Sequence, residues 1–173
     1  RRRSRKEKGS LPSSARLTID AGTESGGHGP TTAVGLPLLS LLPLLLPHYS
    51  TPTSPLLLPA GGLTSGTHLA SLLAFSPGII VGTAFLLTPE ALFLPAQKEL
   101  LKTSTGEETV RTRRFDEARG TLGWGEGVDG RGVRNWTSER EGGGGREEYE
   151  VAVKEGDVTR IVTWAGESVC GLC

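Results

Sequence analysis

Charged residues are missing from a long stretch of the chain that starts near its beginning. No Lys, Arg, Asp or Glu occurs from residue 25 to residue 89. Within this block, residues 69–87 read LASLLAFSPGIIVGTAFLL, with nothing more polar than Ser and Thr. At about 1.5 Å per residue, a helix of this length covers roughly 28 Å, close to the ~30 Å hydrocarbon core of a bilayer. The pattern predicts a strong transmembrane span over residues 69–88.

A second apolar run, AVGLPLLSLLPLLLP, occupies residues 33–47. It is short for a span, and Pro37, Pro43 and Pro47 each remove a backbone donor and disfavour the preceding helical turn. Two interpretations stay open: a weak, proline-kinked first span, or the apolar core of a signal peptide. The membrane region is taken as residues 33–94.

The segments on either side are polar. Residues 1–32 are predicted to form a disordered basic head, and residues 95–173 a polar, glycine-rich tail. The glycine-dense stretch 120–147 favours a flexible linker, and alternation of Tyr149, Val151 and Val153 predicts a β-hairpin over residues 148–164. The fold class expected from these patterns is an α-helical membrane protein fragment, with one or two transmembrane helices flanked by largely disordered segments.

The sequence contains no complete catalytic or cofactor-binding motif. The two cysteines, Cys170 and Cys173, lack the second ligand pair that a structural zinc site needs, and no GxSxG, HExxH or phosphate-loop pattern occurs. The basic head, RRRSRKEK, has no interleaved aromatic residues, so no nucleic-acid partner is expected. A non-enzymatic protein without a bound cofactor is therefore predicted.

One stretch carries a family resemblance. Residues 72–93, LLAFSPGIIVGTAFLLTPEALF, combine an apolar run with Gly82-Thr83-Ala84-Phe85 and Pro89-Glu90-Ala91. This arrangement resembles the second span of the ZIP family of zinc, iron and manganese transporters, and the run at 33–47 is similar to that family's first span. The resemblance implies an N-terminal fragment of a transporter, an interpretation that also suits a chain beginning at Arg1 and lacking Met. It makes Glu90 the one candidate metal-facing carboxylate.

The function implied by the resemblance is membrane transport of a zinc-like divalent cation by an incomplete permease. The expected partners are a lipid bilayer and neighbouring transmembrane helices outside this chain, and the expected location is a membrane. Two alternatives remain open: a membrane-anchored interaction protein, and a non-functional, mostly disordered product.

Overall fold

Short strands and helices alternate along the apolar block. The computed structural model describes residues 17–51 and 53–172. Strand β1 (Leu17–Ala21) pairs in parallel with β3 (Leu56–Ala60), with helix α1 (Leu38–Leu45) between them and α2 (Gly66–Leu72) after them. A parallel bridge joins Ala60 to Ile80 and so adds a third chain segment beside β3. The order strand, helix, strand, helix is that of βαβ units.

A second sheet stands beside this parallel layer. Strand β5 (Val128–Val133) lies at its centre and pairs antiparallel with β2 (Gly27–Pro30) on one side and β4 (Thr109–Thr112) on the other. The remaining helices are α3 (Pro95–Thr103), α4 (Arg114–Arg119), α5 (Trp136–Glu139) and α6 (Arg146–Glu155). Short 3₁₀ turns cover Leu46–His48, Thr83–Leu87, Gly106–Glu108, Glu141–Gly144 and Glu167–Leu172.

Two apolar clusters hold these layers together. The first lies where α1 and α2 cover β3, and its buried members are Leu38, Leu42, Leu57 and Leu72. The second joins α3, β5 and the last 3₁₀ turn through Leu101, Val133, Ala165 and Val169. The uncharged block thus forms alternating strands and covering helices, and the leucines of the first cluster are removed from water within the protein.

The predicted membrane-fragment fold is wrong, because these residues form a mixed α/β structure. Residues 69–88 do not make one helix: α2 ends at Leu72, the turn at Pro77-Gly78 follows, Ile80 joins the sheet, and Thr83–Leu87 is a 3₁₀ turn. The proposed weak span contains only α1, eight residues long. In the part of the chain that is described, no helix has the length and apolar character needed to cross a membrane.

The polar flanks also differ from their predictions. Residues 1–16 of the expected disordered head lie outside the described residues, but residues 17–32 include β1 and β2. The stretch predicted as a linker contains β5, and the predicted hairpin begins with helix α6. Glu147 and Glu148 in the first turn of α6, Lys154 in its last turn and left-handed Gly156 (φ 70°) after it are the terminal signals of a helix.

Candidate functional site

A concave pocket opens at the carboxyl ends of the parallel strands. Ala21 at the end of β1, Ala60 at the end of β3, and Ile80 line a cavity of about 360 Å³. Ligands bind at this edge in α/β proteins because the loops that leave parallel strands converge there. The volume lies in the range of small-molecule sites.

Glycines form one wall of the pocket. Directly after β3, Gly61 (φ 104°) and Gly62 (φ 66°) adopt left-handed backbone that a side chain would strain. A Cβ on Gly62 would approach the Ser168 hydroxyl to 3.2 Å. Glycine lets a ligand approach the backbone closely, and successive backbone N–H groups in a turn can bind an anion. Gly82 and Thr83 complete the wall, and the Thr83 hydroxyl accepts a hydrogen bond from the Gly166 N–H at 3.0 Å.

A histidine–carboxylate pair contributes its histidine to the pocket lining. His28, on β2, lines the pocket, and its Nε2 lies 2.9 and 3.0 Å from the two carboxylate oxygens of Asp116. Asp116 is 2% exposed, and its Oδ1 also accepts a hydrogen bond from the Thr121 hydroxyl at 2.7 Å. Because an ionised carboxylate only accepts, Nε2 carries the proton and Nδ1 keeps its lone pair in the neutral ring. This is the arrangement by which a carboxylate orients a histidine general base.

Two buried arginines hold the loop that leads into His28. Arg111 donates from Nη1 to the carbonyls of Thr23 and Ser25, both at 3.2 Å, and from Nη2 to the Gly27 carbonyl at 3.4 Å. Its Nε pairs with Asp129 at 2.7 Å, and the two side chains are 2% and 10% exposed. Since each carbonyl in the 23–27 loop that bonds to Arg111 points toward β4, Arg111 fixes the backbone of this loop.

Arg131 strengthens the same attachment from β5. It donates to the Thr23 carbonyl at 3.1 Å and pairs with Glu167 at 2.8 Å. Burial lowers the pKa of the Arg131 guanidinium, and the Glu167 carboxylate opposes that shift. The loop is thus held by two cations, each of which is paired with a carboxylate.

A buried hydroxyl in the pocket wall lacks a partner. The Ser25 Oγ has no hydrogen-bond partner within the described residues, although Ser25 is only 7% exposed and lines the cavity. An unpaired buried polar atom is costly, so its presence in a cavity wall suits a site whose ligand supplies the missing bond.

Glu90, the candidate metal ligand from the sequence, lies elsewhere. It is exposed on the turn after Thr83–Leu87 and does not line the pocket. Hydrogen bonds from its own backbone and from the Thr88 hydroxyl hold the pKa of the Glu90 carboxyl below its usual range, and Lys98 adds to the effect. Among residues 17–51 and 53–172, no group of three or more His, Cys, Asp or Glu could hold a metal ion. Metal binding at Glu90 stays a sequence prediction, as do the lipid and neighbouring-helix partners.

Sequence comparison decides the family. The profile of the nitronate monooxygenase family matches residues 10–123, which is more than half of the chain. The chain belongs to the nitronate monooxygenase family. A nitronate monooxygenase of Neurospora crassa is 28% identical over 166 residues, with 90% of this chain and 43% of that protein covered. The nitronate monooxygenase npaC of Metarhizium robertsii is 32% identical over 165 residues, with 86% and 44% covered. This chain therefore spans less than half the length of either relative.

Solved structures show the same fold. FabK from Thermotoga maritima superposes with a TM-score of 0.65 at 23% identity and covers 92% of this chain and 49% of its own. Nitroalkane oxidase from Streptomyces ansochromogenes gives a TM-score of 0.69 at 24% identity and covers 90% and 46%. At these identities, the likeness extends to the fold and no further.

The family membership overturns the transporter interpretation. The ZIP resemblance, the metal-transport function and the prediction of a non-enzyme are wrong, because the matched family and both curated relatives are named for oxidoreductases. Two of the residues on which that resemblance rested, Gly82 and Thr83, instead line the pocket. Small residues after an apolar run occur equally where a strand ends beside a ligand, which is why the pattern misled.

Sequence reasoning missed His28 and Asp116 altogether. One signal was available: the runs LTIDAG, LLLPAGG and GIIVG, beginning at residues 17, 56 and 78, each place Gly directly after an apolar stretch. Repeated strand-then-glycine units are typical of parallel α/β proteins. They indicate the strand ends, and with them the edge at which His28 lies.

Proposed function

We propose that this chain forms part of an enzyme that oxidises small nitronates or nitroalkanes, with His28 as the general base. The observation that carries the proposal is that His28, paired with Asp116, lines a pocket that also has a glycine wall suited to an anion. The names of the family and of its curated relatives supply the reaction class.

The reaction class calls for a redox cofactor. Oxygen chemistry in proteins is carried by haem, flavin, copper or non-haem iron, because side chains do not supply it. A flavin mononucleotide fits the residues present. Backbone at Gly61, Gly62 and Gly82 would hold its phosphate, and Ile80 and Trp164 offer apolar surface for a ring. When bound, such a cofactor would take electrons from the substrate and deliver them to oxygen.

The residues of this chain would remove the proton from the substrate. Nδ1 of His28 has a free lone pair and no hydrogen-bond partner in the described part of the chain, so it is the atom that would take a proton from the carbon next to a nitro group. Asp116 would hold the ring and stabilise the imidazolium that forms. The imidazolium would then lie beside the anionic nitronate and pair with it.

The test measures flavin binding and oxygen consumption by the full chain. Flavin mononucleotide is added, its fluorescence change gives the binding constant, and oxygen uptake is followed with a small neutral nitroalkane, whose carbon still carries the proton that His28 would remove. We expect His28→Asn to lower the rate by about 10²- to 10⁴-fold while flavin binding is kept. His48→Gln, at an exposed histidine outside the pocket, is the control and should match the unmodified chain. Absence of both flavin binding and oxygen uptake, or full activity in His28→Asn, would overturn the proposal.

A further inference from the structure

An exposed glycine-rich loop covers the imidazole of His28. Residues 120–127 connect α4 to β5, and Trp124 stands at the loop's centre between Gly123 and Gly125. The indole of Trp124 stacks on the imidazole with ring centroids 3.9 Å apart and an interplanar angle of 17°. Trp124 is nevertheless 50% exposed. The loop thus presents a large apolar side chain to a polar ring at the rim of the site.

Both ends of this loop are fixed, although its centre is open. At one end, Thr121 donates its backbone N–H to the Asp116 carbonyl at 2.9 Å and its hydroxyl to the Asp116 carboxylate at 2.7 Å. At the other end, the Gly127 carbonyl accepts the Thr31 N–H at 2.9 Å. A Cβ built on Gly123 or Gly125, the two residues that flank Trp124, would meet nothing within 4 Å, so neither glycine is packed against the rest of the protein. Stacking on His28 is the aromatic contact that the loop makes with the site.

Three contacts around His28 restrict the orientation of its imidazole ring. Asp116 fixes the Nε2 edge, Trp124 covers one face, and Trp164 lies at 5.0 Å in a tilted orientation of 56°. A hydrogen bond to one ring nitrogen still permits rotation about the axis of that bond. A stacked indole restricts this rotation, because the two ring planes must stay nearly parallel to keep the contact.

We propose that Trp124 is the positioning residue for His28: its indole fixes the imidazole plane and stabilises the imidazolium formed when His28 takes a proton. The inference rests on the proposed function. A cation over the face of an indole is attracted by the negative charge of the ring face, and Trp is the strongest of the aromatic side chains in this respect. The stabilisation acts after proton transfer begins, so Trp124 affects the chemical step more than substrate binding.

The test compares substitutions at Trp124 with one at Leu122. Trp124→Ala removes the stack, and Trp124→Phe keeps a smaller aromatic face. Leu122→Ala is the matched control, because Leu122 lies in the same loop, is also 50% exposed and has no ring contact with His28. We expect Trp124→Ala to lower kcat for nitroalkane oxidation by about threefold to thirtyfold with KM nearly unchanged. Trp124→Phe should recover most of the loss, and Leu122→Ala should leave kcat unchanged.

A second readout does not depend on turnover. The ring current of an indole stacked at 3.9 Å shields the imidazole protons of His28, so their NMR signals lie upfield. These signals should move downfield in Trp124→Ala and stay upfield in Leu122→Ala. Unchanged signals in Trp124→Ala would refute the stack, and unchanged kcat with shifted signals would refute the positioning role. If His28→Asn alone proves fully active, the proposed function fails instead, so the two failures are distinguishable.

Discussion

Replacing Arg111 with Met should destabilise the protein strongly, because its guanidinium is buried and fully engaged. Arg111 is paired with Asp129 at 2.7 Å with the two side chains 2% and 10% exposed. It also donates to the carbonyls of Thr23, Ser25 and Gly27. Removing one member of a buried pair costs about 3–5 kcal/mol, because the remaining charge is left uncompensated. At about 2–4 °C per kcal/mol for a chain of this size, the melting temperature should fall by roughly 6–20 °C.

The assay is urea unfolding followed by circular dichroism. Arg146→Met is the control, since Arg146 pairs with Glu150 at 2.8 Å while the side chains are 69% and 54% exposed, and such pairs contribute about 0.3–0.5 kcal/mol. The double variant Arg111→Met/Asp129→Asn removes the orphaned carboxylate and should recover part of the loss. A loss below about 1 kcal/mol in Arg111→Met, or a double variant no more stable than the single one, would refute this reasoning.

Two further predictions concern single positions near the pocket. Burial raises the pKa of Asp20, so the folded state binds the proton more tightly than the unfolded state and stability falls as pH rises above about 4. Asp20→Asn should therefore raise the melting temperature at pH 7 but not at pH 3. Equal effects at the two pH values would contradict this. Gly62→Ala should cost about 1 kcal/mol or more and weaken flavin mononucleotide binding, because φ is 66° and the new Cβ meets Ser168. Gly66→Ala, at the first residue of α2, where a Cβ meets nothing within 4 Å, should leave the flavin titration curve unchanged and stabilise the fold by about 0.4–1 kcal/mol.

The sequence shows the apolar block clearly but does not show whether it spans a membrane or packs between a sheet and its helices. The uncharged stretch is real, yet an apolar run can lie in lipid or between a sheet and its helices, and hydropathy alone does not separate the two. Proline and glycine decide it here, because Pro77-Gly78 divides the run after α2. As helix breakers, Pro77 and Gly78 predict several short elements in place of one long helix.

The glycine-rich second half shows a different limit. Strand β5, VDGRGV, reads as linker because Gly weakens an isolated strand. In the structure its glycines allow close packing: a Cβ on Gly130 would lie 2.5 Å from Trp164, and one on Gly132 would lie 2.8 Å from the Thr163 carbonyl. That requirement comes from tertiary neighbours far along the chain. No local pattern could have revealed it, and the pairing of His28 with Asp116 is hidden for the same reason.

The attachment of the 23–27 loop by Arg111 has a consequence for the order of folding. Thr23 and Arg111 are 88 residues apart, as are His28 and Asp116. At about 5–20 residues per second, roughly 4–18 s of synthesis separate the loop from the groups that fix it. During that interval the loop carbonyls remain hydrated and the base has no carboxylate partner. The pocket with its fixed 23–27 loop and its His28–Asp116 pair is therefore complete only after the β2–β5–β4 sheet has formed.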